Sequence, residues 1–403
     1  MLLLALTLAA GTAAADTAAL SPTPAPATAA AGMVAVHRQP AIPLVALRLS
    51  LLADDPPGYA GAGHLLQHLL LPSLRDQVQR VGGEVQITRG ADAVVYTVVG
   101  PASELDYLAG VLRSTLREPR FGDAQLVAAQ RELRDERNAE WETAAGHVRA
   151  MLRGRLFPEE LSPAGTPASA ERFTAETVQA LWAGMYRPER VAVVAVGDVQ
   201  VARVRDAFAR LPAAPEGAPD GAAADTVPAA PPVSPEATRG WIGLGWSAAD
   251  ADPAAVTVTA RLLRDHLRER LPSAAVETEH WWTRQGQALA LVVAAQPAGL
   301  AAARRATGAS LASLGESLDA ARVREAAARV RRDMLFYARR PERMADVVGQ
   351  FIDRAGQADA AQRFYADVER VDEDAVRAVL ARLAEQTPAA VDVPPQKLPN
   401  RTP

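Results

Sequence analysis

Two hydrophobic rhythms alternate along this chain, one short and one helical. Leu44-Val45-Ala46-Leu47-Arg48-Leu49-Ser50 and Asp92-Ala93-Val94-Val95-Tyr96-Thr97-Val98-Val99 read as strands. Asp54-Asp55-Pro56-Pro57-Gly58 is a strong turn signal. From Gly61 to Leu71 the apolar spacing becomes helical, and it is helical again over Ser103–Arg117 and, continuously, Asp123–Leu156. Thr174–Tyr186 predicts a helix with Thr174 as its cap and Glu176 in its first turn. Val191–Val196 is an unbroken apolar run, a buried strand ending at Gly197-Asp198. The second half opens on the strand Gly240–Trp246, then a helix at Ala254–Arg270 and a strand at Ala288–Ala295. Helices follow at Ala301–Leu314, Asp319–Tyr337 and Pro341–Ala355, and Phe364–Leu383 closes the fold. Strand, helix, strand, then several helices is the order in both halves, which suggests a duplicated α+β unit.

The length of 403 residues suits two domains. Pro212–Thr238 is rich in Pro, Ala and Gly without hydrophobic period and predicts a linker. The expected division is therefore an N-terminal domain over 33–211, the linker over 212–238, a C-terminal domain over 239–386 and a loose, Pro-rich tail over 387–403. Residues 1–15 form a short apolar run that ends in small residues, Gly11-Thr12-Ala13-Ala14-Ala15. They read as a secretory signal cleaved after Ala15, although the usual basic start is absent. Residues 16–32, rich in Ala, Pro and Thr, read as a flexible leader. A periplasmic or secreted protein follows, with no membrane span.

Composition narrows the chemistry. A net charge of −4 and the lack of any dense Lys/Arg tract argue against nucleic-acid binding. The chain has no cysteine, so disulfides, thiol nucleophiles and cysteine zinc sites are excluded. A metal here must rest on histidine and carboxylate. His64 and His68 lie four apart on the same helix face, close enough to share one ion. The inverted zincin pattern H-x-x-E-H has this spacing, with a general-base glutamate where this chain carries Gln67. A third ligand is required, and the best candidate is Glu136 on the helix around Arg131–Asn138, flanked by Glu132 and Glu140. Glu132, Asp135, Glu136 and Glu140 would equally suit a solvated helix face. His37, His147, His266 and His280 show no ligand spacing. Trp281-Trp282 suits a strand edge or a domain interface better than a binding patch.

These segments resemble the pitrilysin/insulinase family of zinc peptidases, which includes the mitochondrial processing peptidase. Gly58–His68 resembles the family's G-x-x-H-x-x-E-H segment. Gly82-Gly83-Glu84-Val85-Gln86-Ile87, with the later Asp92 and Tyr96, resembles its G-G-x-x-N-A stretch. Arg131–Arg137 resembles the helix of the third ligand. Phe157-Pro158, Gly165-Thr166, Tyr186-Arg187-Pro188 and Val194–Asp198 resemble the end of the first domain. The likeness covers most of 33–210 and is weaker over 239–385.

The resemblance implies two similar α+β domains, each a mainly antiparallel sheet packed against helices. It implies zinc held by His64, His68 and Glu136, with Gln86 and Ile87 beside the substrate strand.

Several departures accompany it. Gln67 stands at the base position and Gln86-Ile87 replaces Asn-Ala. A supporting carboxylate would fall near Ala129 or Gln130, which cannot supply one. The second half lacks a Gly-rich loop before Arg264-Asp265-His266, and Ala274–Val276 stands where a substrate-binding Tyr is expected. A glutamine cannot carry a proton, and general acid–base help is worth ~10²–10⁴-fold. The expectation is a non-catalytic or strongly impaired protein supporting a peptide-processing pair, with an active homologue or a second copy as partner and a peptide as ligand. An active zinc endopeptidase and a structural subunit of an envelope complex are the alternatives.

Overall fold

The computed structural model describes residues 32–158, 160, 162–212 and 238–395. The expected signal segment, all but the last residue of the leader, and nearly all of the linker lie outside the described residues. The first sheet contains β1 (Met33–Arg38), β2 (Leu44–Leu51), β3 (Glu84–Arg89), β4 (Val94–Pro101) and β5 (Val191–Gly197). Its order is β1-β5-β2-β4-β3, with only β1 and β5 parallel. The helices of this half are α1 (Ala62–Gln79), α2 (Leu105–Ser114), α3 (Asp123–Glu142), α4 (Ala144–Leu156), α5 (Pro167–Ala170), α6 (Ala175–Met185) and α7 (Val201–Phe208). One face of the sheet packs Leu47, Leu49 and Tyr96 against Leu65, Leu66, Leu108 and Trp182 from α1, α2 and α6.

The second sheet is wholly antiparallel: β6 (Gly240–Ser247), β7 (Ala275–Thr283), β8 (Gly286–Ala295) and β9 (Ala389–Val393), in the order β7-β8-β6-β9. Its helices are α8 (Pro253–Arg270), α9 (Leu300–Gly308), α10 (Ser310–Glu316), α11 (Ala320–Tyr337), α12 (Pro341–Ala355), α13 (Ala360–Arg370) and α14 (Glu373–Ala384). The fold is thus α+β, with two mainly antiparallel sheets packed against helices. In each half a helix (α1, α8) follows an inner strand (β2, β6) and leads into a hairpin (β3–β4, β7–β8) at the sheet edge.

The expected continuous helix over Asp123–Leu156 is broken. Thr143 is extended (φ −92°, ψ 141°), and its side chain accepts the Gly146 N–H at 3.0 Å, which ends α3 and caps α4. The break has a large consequence. Helix α4 crosses to the second half and packs on β6 and β9, while α12 crosses back and packs on β2 and β5. Both crossings need close approach. A Cβ at Gly349 of α12 would meet the Arg48 guanidinium, and Cβ atoms at Gly243 and Gly245 of β6 would meet Val148 and Leu156 of α4. The expectation of a loose tail from 387 is corrected: Ala389–Val393 is a strand paired with β6. The prolines that flank it masked a short alternating run, Ala-Ala-Val-Asp-Val, with Val391 and Val393 buried.

Candidate metal centre

The turn at Asp54–Gly58 serves as a cap. The Asp55 carboxylate accepts the N–H groups of Gly61 and Gly63, each at 2.8 Å, at the start of α1. Gly61 has φ +84°, and a Cβ there would lie 2.8 Å from the Gly165 backbone, so only glycine suits the position. Arg89, at the end of β3, reaches Asp55 at 3.3 Å. The start of α1 is therefore fixed from three directions. His64 lies in its first turn and His68 one turn on.

Helix α3 packs along α1 and presents Glu132 and Glu136, also one turn apart. His64 Nε2 lies 3.1 Å from Glu136 Oε2, His68 Nε2 lies 3.5 Å from Glu136 Oε1, and the two Nε2 atoms are 3.2 Å apart. Tetrahedral zinc with bonds near 2.0–2.1 Å holds its donors roughly 3.3–3.4 Å apart. The three side chains thus span a triangle of the size of one tetrahedral face, and two imidazoles with a carboxylate are a donor set that suits zinc. Among the described residues this is the one His/Asp/Glu group whose ligand atoms converge, all within 4.8 Å. Burial, chiefly, and the neighbouring His68 lower the pKa of His64, which favours the neutral, ligating form at pH 7.

Glu132, in sequence one charge in the run around Glu136, has a partner of its own. Its carboxylate meets His68 Nδ1 at 2.8 Å. The available signal was its spacing, four residues before Glu136.

Gln67 is wholly buried. Its amide nitrogen donates to two main-chain carbonyls, Thr88 at 3.1 Å and Val95 at 2.9 Å, and its Oε1 is buried without a partner. Thr88 and Val95 face each other in the β3–β4 ladder. The side chain at the base position thus ties the hairpin to α1. Gln86 and Ile87 lie on β3, beyond which no strand pairs among the described residues. Gln86 is exposed, and Ile87 is half-buried against the first core. Gly90 donates to Ala93 at 3.1 Å, which fixes the ladder's alternation and turns the main-chain groups of Val85, Ile87 and Arg89 outward along this free edge.

Asp92 accepts the Arg284 N–H at 2.7 Å and joins the two halves, and Tyr96 shares a buried 2.6 Å hydrogen bond with Tyr186. The other histidines are held by non-ligand partners or by packing. His280 bonds to Thr257 and Gln287, both at 2.8 Å, and His266 bonds to Ser313 at 2.9 Å. Trp282 packs on Phe351 and Phe364 with ring centres 5.6 and 5.7 Å away, while Trp281 lies under the guanidinium of Arg153 from α4.

No protein-family model and no curated protein matches this sequence. Solved structures do match. A protease from Helicobacter pylori superposes with a TM-score of 0.74 at 15% identity, over 91% of this chain and 98% of that one. An M16-like peptidase from Alicyclobacillus acidocaldarius, described as putative in its name, gives 0.72 at 15%, over 90% and 95%. A chain of complex III2 from Candida albicans gives 0.71 at 12%, over 90% and 94%. This chain has the M16-like peptidase fold. The M16-like fold, pitrilysin/insulinase in type, is what the resemblance in the first half implied. It extends over the second half, where the sequence likeness was weak. Among the described residues no helix is long and apolar enough to cross a membrane.

Proposed function

We propose that this protein is a zinc-holding, non-catalytic or strongly impaired relative of the pitrilysin/insulinase-type peptidases, acting as the supporting subunit of a peptide-processing pair. The observation that carries this reading is the contrast inside α1. His64 and His68 meet Glu136 at ligand distances, while Gln67 between them is engaged by Thr88 and Val95. Zinc held by His64, His68 and Glu136 would polarise a peptide carbonyl. Gln67 has no proton to exchange, and its amide is occupied in holding the hairpin. The free edge of β3, with Gln86 and Ile87, would receive an extended peptide as an added strand. Chemistry would come from a homologue with an intact H-x-x-E-H helix, and a second copy of this chain is the other partner considered. The apolar N-terminal run supports export to the periplasm or beyond.

The likeness to a complex III2 chain favours a second reading, a structural subunit of an envelope assembly. Purification from the native host separates the two. Co-elution with an intact H-x-x-E-H homologue supports the pair, and co-elution with an envelope complex that lacks one supports the structural role. Peptide cleavage by the zinc-loaded protein alone, lost in His64→Ala, would overturn both.

Gln67→Glu sharpens the test. A carboxylate there would face two carbonyl oxygens, so the acid form, which can donate to one of them, is favoured. The variant is expected to lose about 1–3 kcal/mol in denaturant unfolding. It is also expected to gain no measurable cleavage, and robust hydrolysis by it would show that the base alone was missing.

A further inference from the structure

The second carboxylate of α3 has a different job from the first. Glu136 meets the Nε2 atoms of both histidines, whereas Glu132 meets only the far side of His68, with Nδ1 to Oε2 at 2.8 Å. An imidazole that ligates through one nitrogen needs its proton on the other. A carboxylate at Nδ1 keeps that proton there, leaves the Nε2 lone pair toward the shared centre and fixes the ring's rotation. His64 has no such help: its Nδ1 is buried and without a partner. At Ala129 and Gln130 the helix offers nothing equivalent. Ala129 is buried in the first core, and the Gln130 amide is spent on the Phe173 carbonyl at 2.9 Å.

We infer that Glu132 is a positioning residue for the metal site, holding His68 in the tautomer and orientation that ligation requires; this rests on the zinc reading above. The site is then built from two pairs of side chains, each one helical turn apart. His64 and His68 face Glu136 and Glu132 in antiparallel order. A carboxylate four residues before the ligand thus supports the site where Ala129 and Gln130 cannot.

The surface position of Glu132 makes a clean test, because 62% of its side chain is exposed and its removal opens no cavity. The first arm needs no metal. In the full-length, metal-free protein with 15N-labelled histidine at pH 8, His68 is expected as the Nδ1–H tautomer, shifting toward Nε2–H in Glu132→Ala. The same tautomer in both proteins overturns the inference. The second arm titrates zinc against a chromophoric chelator. Glu132→Ala and Glu132→Gln are expected to bind about 10–100-fold more weakly at unchanged stoichiometry. Asp135→Ala, on the same helix, should bind like the wild type. Affinity for Glu132→Ala within about threefold of wild type would also overturn the inference. A wild-type protein that takes up no zinc in excess would sink the zinc reading instead, and the tautomer arm would still decide the role of Glu132.

Discussion

The two halves each contain a seam between the helix that leads into the hairpin and a later long helix, and the seams follow the same plan with different side chains. Between α1 and α3, His64 meets Glu136 and His68 meets Glu132. Between α8 and α11, Arg261 meets Asp333 at 2.6 Å and Asp265 meets Arg329 at 3.3 Å. Each helix contributes residues four apart, the pairs cross in antiparallel order, and 68 residues separate the first members in both cases. The seams lie at different depths: His64 is the third residue of α1, whereas Arg261 is the ninth of α8. What differs chemically is the base. A guanidinium has no lone pair to offer and stays charged, so the second seam closes on itself as ion pairs. Imidazole offers a lone pair when neutral, so the first seam has ligand capacity left over. The helix geometry supplies the meeting, and the residue type decides whether the meeting is a site or a clasp.

The exchanged helices carry the same contrast, and here the largest stability effect is expected. Helix α12 is anchored on the first sheet by charge. Arg48, buried on β2, meets Asp353 at 2.7 Å and packs on Gly349. Helix α4 is anchored on the second sheet by Val148, Leu152 and Leu156 over Gly243 and Gly245. Arg48→Ala leaves Asp353 as a buried, unpaired carboxylate and should cost about 3–5 kcal/mol in urea unfolding. Replacing both partners, Arg48→Met with Asp353→Leu, should recover most of that loss. A single-variant cost under about 1 kcal/mol would mean that the charged anchor matters no more than a surface pair.

The histidines of the two halves also differ in their partners. His280 of the second half is half-buried, bonded to Thr257 and Gln287, and desolvation pushes its pKa down to about 4. Its unfolded value is 6.5, so between about 4 and 6.5 the unfolded chain binds the extra proton. This group's contribution to stability is therefore present above pH 6.5 and lost as pH falls toward 4. A fall from 6.5 to about 4 corresponds to at most about 3 kcal/mol. Asp92 runs in the opposite sense, because burial raises its pKa and favours the protonated native state. The test is thus a difference: unfolding of wild type and His280→Gln at pH 7.5, 6 and 4.5. The gap between the two should shift toward the variant by up to that amount, and a constant gap would contradict the burial argument.

Much of this was legible in the chain, and the reason is local. The spacing of His64 and His68 is set by helical periodicity, and the likeness of Arg131–Arg137 to the family's ligand helix pointed to Glu136. The sheets follow from alternation, as in Leu44–Ser50. What was hidden depends on partners far away in sequence. Nothing near Thr143 announces that α4 leaves for the other sheet, because the receiving surface is made by Gly243 and Gly245 a hundred residues later. The engagement of Gln67 depends on the Thr88 and Val95 carbonyls, which every residue possesses, so no residue type could signal it. Glu132 was visible as one charge in a run, but only the packing of α1 on α3 separates it from its solvated neighbours. The strand Ala389–Val393 was hidden by the prolines around it.

The contrast between the two seams also predicts a small effect. If the second seam is only a clasp, its charges are half-exposed ion pairs. Such pairs gain little Coulomb energy in water, and ordering their long side chains costs entropy. Asp333 is 67% exposed and Asp265 27% exposed. Asp333→Asn is expected to change stability by less than about 1 kcal/mol, and less still at high salt. It should leave zinc uptake at the first seam unchanged. A Glu136→Gln variant should do the reverse, losing most zinc affinity with little change in the stability of the metal-free protein, since its carboxylate is also half-exposed. The comparison breaks if Asp333→Asn impairs zinc binding, because the two seams would then be coupled through the exchanged helices. If instead Glu136→Gln unfolds the metal-free protein, the first seam is also a clasp, and its likeness to a zinc site would be a by-product of packing α1 on α3.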